Sequence, residues 1–236
     1  MKKILFSLLI LSSFSFAIEY YAKIEPINTY EIKSSVSGKV EFVNKDYEAK
    51  NTKNTLVLKL DDKVNKIDLK QAKLKLKNQK EILKIEKSTL QKFKRISSKS
   101  QFDRDNQKIK ILNMSSSISD LETRIATLED MIKNKNLYEN NSYLYDIAVE
   151  VGDYVNPGNL LYTAMDLNKG KLEIFIPISD IQNIKEKSIY LDGVKTDLNI
   201  SKIYSVADTK HISSYKVEII IPKPKQFSKL IKVQFK

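Results

Sequence analysis

Catalysis by a polypeptide needs nucleophiles, acids and bases, or metal ligands held within reach of one another, and this 236-residue sequence offers few of them. It contains no cysteine, so thiolate chemistry and a disulfide framework are both excluded. His211 is the only histidine; a metal site would rest on carboxylates alone, and none of them cluster at ligand spacing. Ser205, Asp208 and His211 have the residue types of a triad and lie close in sequence. Triads are assembled from distant loops, so local proximity carries little weight. The adjacent carboxylates Asp61 and Asp62 fit a helix cap better than an acid/base pair. Five glycines, Gly38, Gly152, Gly158, Gly170 and Gly193, each stand apart from the next, which rules out a glycine-rich phosphate loop. The expectation is a chain that is no enzyme, with no catalytic residue, no cofactor and no metal.

If the residues do no chemistry, the elements that carry them must supply the function. Lys2 and Lys3 precede an apolar or small-polar stretch, Ile4 to Phe16, and Ser15 and Ala17 follow as a small-residue cleavage site. That stretch is too short to span a bilayer, which needs about 20 residues, and reads as a signal peptide over 1–17, with the exported protein starting near Ile18. The formal net charge of +12 comes mostly from Lys, spread along an amphipathic segment without aromatic interleaving. It reads as a solvated basic face, and no nucleic-acid partner is expected.

Residues 19 to 61 read as strands, with turns marked at Pro26 and Gly38. From Asp62 to about Asn136 there is neither Gly nor Pro. Leu69, Leu76, Leu83 and Leu90 recur every seven residues, flanked by Ile67, Leu74, Ile82, Ile85, Phe93 and Ile96. Ile111, Met114, Ile118, Leu121, Ile125, Leu128 and Ile132 then follow in alternating steps of three and four, an a/d seam that places all seven on one helix face. Between the two arms, Ser98 with Gln101 or Ser100 with Asp103 supplies a capping box that starts a second helix. The segment is therefore predicted to be two antiparallel helices with a tight serine-rich tip. Strands resume with Tyr143 to Val151 and Leu160 to Tyr162, and continue as Lys171 to Pro177, Ser188 to Leu191, Val194 to Val206 and Tyr215 to Ile221. Asp192-Gly193 is a type I′ hairpin signal, and Ser179 to Lys187 reads as a short helix.

Val149-Glu150-Val151-Gly152-Asp153-Tyr154-Val155-Asn156-Pro157-Gly158-Asn159-Leu160-Leu161, with Asp166-Leu167 after it, resembles the second half-motif of the HlyD-like membrane fusion proteins, the periplasmic adaptor family. Val36-Ser37-Gly38-Lys39-Val40 resembles the first half-motif, and Ile174-Phe175-Ile176-Pro177 with Asp180-Ile181 the start of the family's β-barrel. The first half-motif departs from the pattern: Asp46-Tyr47-Glu48 and Asn54 stand where a Gly-Asp pair and a second Gly belong, and Asn54 tolerates the left-handed geometry such a turn needs.

The resemblance implies a mainly β fold with a long α-helical coiled-coil hairpin: a barrel-sandwich hybrid (lipoyl-like) lobe split by the hairpin, followed by a small β-barrel domain. In those terms 18–61 holds the N-terminal strands and first half of the lobe, 62–136 the hairpin, 137–170 the second half and 171–236 the barrel. Gly38, Gly152 and Gly158 would be the turn glycines of the lobe, and Arg95, Ile96, Ser98 and Ser100 the partner-docking residues of the hairpin tip. The implied role is that of a periplasmic adaptor in a tripartite efflux pump. It would bind an inner-membrane transporter, of the resistance–nodulation–division (RND) or ABC type with the RND type favoured, and an outer-membrane channel, and act as a homo-oligomer, typically a hexamer. The chain ends soon after Val233, so contact with the transporter is expected to fall mainly to the barrel. An adaptor of an ABC-type or protein-secretion export system and a structural coiled-coil envelope protein are the alternatives. A carrier domain bearing lipoate or biotin is disfavoured, because the helical hairpin occupies the place of the modified Lys.

Overall fold

A run of seventy-odd residues without Gly or Pro, carrying straight-chain Lys, Leu, Glu and Gln, loses little side-chain entropy in a helix. In the structure, a computed structural model that describes residues 19–236, that run forms two long helices, and every other region is built mainly of strands. The signal-peptide segment 1–17 and the start at Ile18 lie outside the described residues.

In chain order the strands are β1 (Glu19–Lys23), β2 (Glu25–Lys33), β3 (Gly38–Val43), β4 (Lys50–Asn51) and β5 (Thr55–Leu60). The helices α1 (Lys63–Arg95) and α2 (Gln101–Asn134) follow, then β6 (Asn136–Glu139), β7 (Tyr143–Ile147), β8 (Tyr154–Val155) and β9 (Leu160–Pro177). A 3-10 turn at Ile178–Asp180 leads into the short α3 (Ile181–Ile184), followed by β10 (Ile189–Leu191), β11 (Val194–Lys195), β12 (Ile200–Ile203), β13 (Ser214–Pro222) and β14 (Leu230–Phe235).

The described chain divides into two compact units, one of residues 30–164 and one of residues 19–29 with 165–236. The unit of 30–164 has a core of Val40, Val57, Leu58, Leu60, Leu144, Ile147, Leu161 and Tyr162, all close to fully buried. Its sheet order is β6-β5-β3-β8, and β4 pairs with β7. The two segments singled out as half-motifs meet in this unit. Gly38 pairs with Val155, the Gly152 amide donates to the Val40 carbonyl (3.0 Å), and the Gly158 amide donates to the Ser34 carbonyl (2.8 Å). Gly152 and Gly158 have φ of +105° and +92°, where a Cβ is strained. Gly38 is needed for a different reason: a Cβ there would lie 3.2 Å from Leu60 Cβ. Asn54 adopts a φ of +49°.

The other unit packs Leu172, Ile174, Ile176, Val217, Ile219, Val233 and Phe235 into its core, with Ala22 and Ile24 supplied by the N-terminal segment. β14 lies between β1 and β10, and β13 between β12 and β9. Asp192 and Gly193 both have positive φ, +49° and +84°, and close the β10–β11 hairpin.

Three of the local expectations differ from the structure. Pro26 does not mark a turn; it lies in β2, at a strand beginning where its missing N–H is tolerated. The strands read as Leu160–Tyr162 and Lys171–Pro177 are one, β9, because its polar stretch stays paired with β13 through Gly170↔Ile221 and Lys169↔Pro222. Val194–Val206 is instead two short strands, β11 and β12, separated by a segment in which the Thr196 amide and hydroxyl both donate to the Ile189 carbonyl. The N-terminal strand β1 pairs with β14, Glu19↔Gln234 to Lys23↔Leu230, a partner more than 200 residues away.

Candidate docking surfaces

The hairpin begins at a buried joint. Asp61 Oδ1 accepts the Lys63 amide and caps the first turn of α1. Asp62, only 1 % exposed, turns its carboxylate inward to Lys66 Nζ (2.8 Å) and Asn136 Nδ2 (3.2 Å). Burial alone would raise the Asp62 carboxyl, but the Lys66 ammonium and the Asn136 amide hold it below the ordinary aspartate value. Lys135 Nζ donates to the Asp61 carbonyl and to Asn65 Oδ1, both at 2.7 Å, which ties the end of α2 to the start of α1.

From that joint the helices run antiparallel, linked across the seam by Lys73–Glu129, Lys80–Glu122 and Lys110–Glu86, each at 2.6 Å. At the standard rise each helix is about 50 Å long. On α2, Ile111, Ile118, Leu121, Ile125 and Leu128 are buried, with Met114 and Ile132 half-buried. On α1 the covered row is Leu69, Ala72, Leu76, Gln79, Leu83, Glu86, Leu90 and Phe93. This is an a/d frame in which two positions are polar. Glu86 is covered because Gln107 Nε2 (2.7 Å) and Lys110 satisfy it. Ile67, Leu74, Ile82 and Ile85, which the sequence placed beside the stripe, are instead exposed, and with Val64 they form a second apolar row on the outside of α1.

The tip is short because its geometry is closed by a reciprocal cap. Ser100 Oγ accepts the Asp103 amide (3.1 Å), while Asp103 Oδ2 accepts the Ser100 amide (3.2 Å). The Ser100 hydroxyl, which also donates to Asp103 Oδ2 (3.1 Å), and then the Ser100 amide keep the Asp103 carboxyl below its usual value. Of the tip residues predicted from sequence, Arg95, Ile96 and Ser98 present exposed side chains, whereas the Ser100 hydroxyl is committed to the cap. Phe102, 74 % exposed, was missed. The signal was its position: it is an apolar residue outside the heptad frame of α2.

In the other unit His211 is stacked on Phe175, with ring centroids 3.5 Å apart, and its Nδ1 lies 3.1 Å from Asp208. The His211 side chain and backbone amide together hold the Asp208 carboxyl below its usual value. No hydrogen bond joins Ser205 to His211 among the described residues, so this group closes a loop rather than assembling a triad. Among the described residues no group of His, Asp and Glu has metal-binding geometry, and no helix is long and apolar enough to cross a membrane.

No protein-family profile and no curated protein sequence matches the chain. Solved structures do. The membrane fusion protein Spr0693 from Streptococcus pneumoniae R6 superposes with a TM-score of 0.72 at 7% identity, over 93% of this chain and 98% of that one. A MacA-MexA chimeric protein containing the Pseudomonas aeruginosa MexA α-hairpin domain gives 0.70 at 16% identity, over 93% and 80%. ZneB from Cupriavidus metallidurans gives 0.57 at 14% identity, over 93% and 70%. The fold of this chain is thus the membrane fusion protein fold, β-rich with a long helical hairpin.

Proposed function

We propose that this chain is a non-enzymatic periplasmic adaptor that couples an inner-membrane transporter to an outer-membrane channel in a tripartite efflux pump. The observation that carries the reading is the hairpin: about 50 Å of paired helix with exposed Ile96 and Phe102 at the tip and a second exposed apolar row along α1. A hairpin closed on itself needs only one apolar seam per helix, so a second row calls for neighbours. In the assembled pump the neighbours are further copies, typically six, packed side by side. The β-rich part of 30–164 is the lipoyl-like lobe, with Gly38, Gly152 and Gly158 at its turns, and 165–236 with β1 supplies the β-barrel that meets the transporter. Arg95, Ile96, Ser98 and Phe102 face the channel; Ser100 shapes the tip. The protein reaches the periplasm by a cleaved signal peptide, and its transporter is of the resistance–nodulation–division type.

Crosslinking in intact cells tests the reading, with a photoreactive residue at Ser97 in the tip and another at Ile178, which is exposed after β9. Adducts of the tip with an outer-membrane channel and of Ile178 with an inner-membrane transporter are expected, and the transporter caught decides between RND and ABC types. Self-adducts alone at both positions would put a structural coiled-coil protein in the adaptor's place.

A further inference from the structure

We propose that the unit of 19–29 and 165–236 carries a docking groove for an extended, acidic polypeptide segment, which adds as a strand to the free edge of β12. β12 pairs with β13 on one side, and among the described residues no strand pairs with its other edge. Unpaired N–H and C=O groups along such an edge are a template for another strand. Beside this edge lies a cavity of about 410 Å³, mostly polar in the surface it offers, with a small apolar contribution from Ile184, Ile189 and the half-buried Leu198. Lys185, Lys187 and Lys202 stand around it, and no carboxylate lines it. Lys202 reaches Glu218 only at 3.9 Å, and neither Lys185 nor Lys187 forms an ion pair among the described residues.

An unpaired backbone wall and three cations select an extended segment with acidic side chains on one face, and the small apolar patch leaves room for apolar side chains at the alternate positions, since a strand turns successive side chains to opposite faces. A second copy of this chain fits poorly. Its own β12 would bring Lys202 and the irregularity between Ile200 and Lys202 to the same edge, setting like charges against each other. The groove rests on the adaptor reading only for the identity of the segment's owner, the transporter.

The test uses the purified full chain and fluorescein-labelled, acetylated octapeptides followed by fluorescence anisotropy. A peptide alternating Val and Asp should bind saturably. Binding should weaken by about tenfold or more when Lys replaces Asp, when alternate backbone amides are N-methylated, or when Lys185→Glu, Lys187→Glu and Lys202→Glu are combined in the protein. These lysines lie on the surface, so a thermal melt matching the parent shows that the combined variant is folded. Equal binding of the methylated peptide would mean charge attraction without strand addition and would overturn the proposal. So would unchanged affinity in the combined variant, or no saturable binding up to roughly 1 mM. The assay needs no pump: success of the in-cell crosslinks with failure here would remove the groove and leave the adaptor, and the converse would do the opposite.

Discussion

Asp62 is a charge placed where burial opposes it, and the surrounding donors decide the outcome. Its carboxylate is 1 % exposed and answered by Lys66 and Asn136, so removing it forfeits both charged hydrogen bonds at the joint of the hairpin, although the Asn136 amide still donates to the Ile132 carbonyl (2.7 Å). Asp62→Ala is expected to lower stability by about 2 kcal/mol, the range for a lost hydrogen bond to a charged group; chemical denaturation of both proteins measures it. Glu86 carries a pH dependence. Lys110 and then Gln107 hold its carboxyl below the ordinary value of 4.5 in the folded hairpin. A folded pKa below the unfolded one contributes stability that is present above the unfolded value and is lost as pH falls through the folded one. Helical signal at 222 nm should therefore melt at lower temperature as pH drops below about 4.5, and Glu86→Gln should reduce that dependence while leaving the remaining carboxylates to titrate. An identical pH dependence in parent and variant would show that Glu86 contributes nothing to it.

The hairpin also shows what periodicity can locate and what it cannot. On α2 the a/d positions from Ile111 to Ile132 are all apolar, so the sequence alone points to that part of the stripe; nearer the tip the same frame runs through Gln107 and Arg104. On α1 only one position per heptad is Leu; the alternate positions are Ala72, Gln79, Glu86 and Phe93, and no hydrophobic count finds a seam through glutamine and glutamate. The apolar residues Ile67, Leu74, Ile82 and Ile85, which flank the heptad leucines in sequence, lie on the outside instead. The reciprocal cap at Ser100 and Asp103 and the Asp192-Gly193 turn were legible because their chemistry is local. The pairing of β1 with β14, and the continuity of β9 through its polar middle, were not. A strand pattern fixes which face is buried and says nothing of the partner. The groove beside β12 was equally hidden, since it depends on which edge is left unpaired. Within the seam, Gln79 stands between Leu76 and Leu83 with its Oε1 buried and without a hydrogen-bond partner among the described residues. Gln79→Leu is expected to stabilise the hairpin by about 1 kcal/mol, because an apolar side chain removes an unsatisfied acceptor at similar volume. Thermal melts followed by circular dichroism would read this as a raised midpoint, and a lowered one would mean that the glutamine is held by a partner such as water.

At the scale of the whole molecule the controlling quantity is where the charge sits. The net charge of +12 is not spread evenly: α1 carries twelve Lys and Arg against three carboxylates, whereas α2 carries five against six. Two copies meeting through their α1 faces would repel, and the exposed apolar row of Val64, Ile67, Leu74, Ile82 and Ile85 would then be kept from burial by the lysines around it. Packing α1 of one copy against α2 of the next relieves much of that repulsion and produces a head-to-tail contact, the kind that closes into rings. Either arrangement leaves uncompensated positive charge on exposed side chains, whose interactions fade beyond a Debye length of about 10 Å at 0.1 M salt and about 3 Å at 1 M. Self-association should therefore strengthen as salt is raised, with the apolar row supplying the attraction once repulsion is screened. Sedimentation velocity at low and high ionic strength measures it. The variant Leu74→Gln with Ile82→Gln, altered only at exposed positions, should keep its melting temperature and lose the salt-promoted species. Association that ignores ionic strength would show that the lysines of α1 do not face one another or any like charge between copies, and association that survives both glutamines would place the contact away from the outer row of α1.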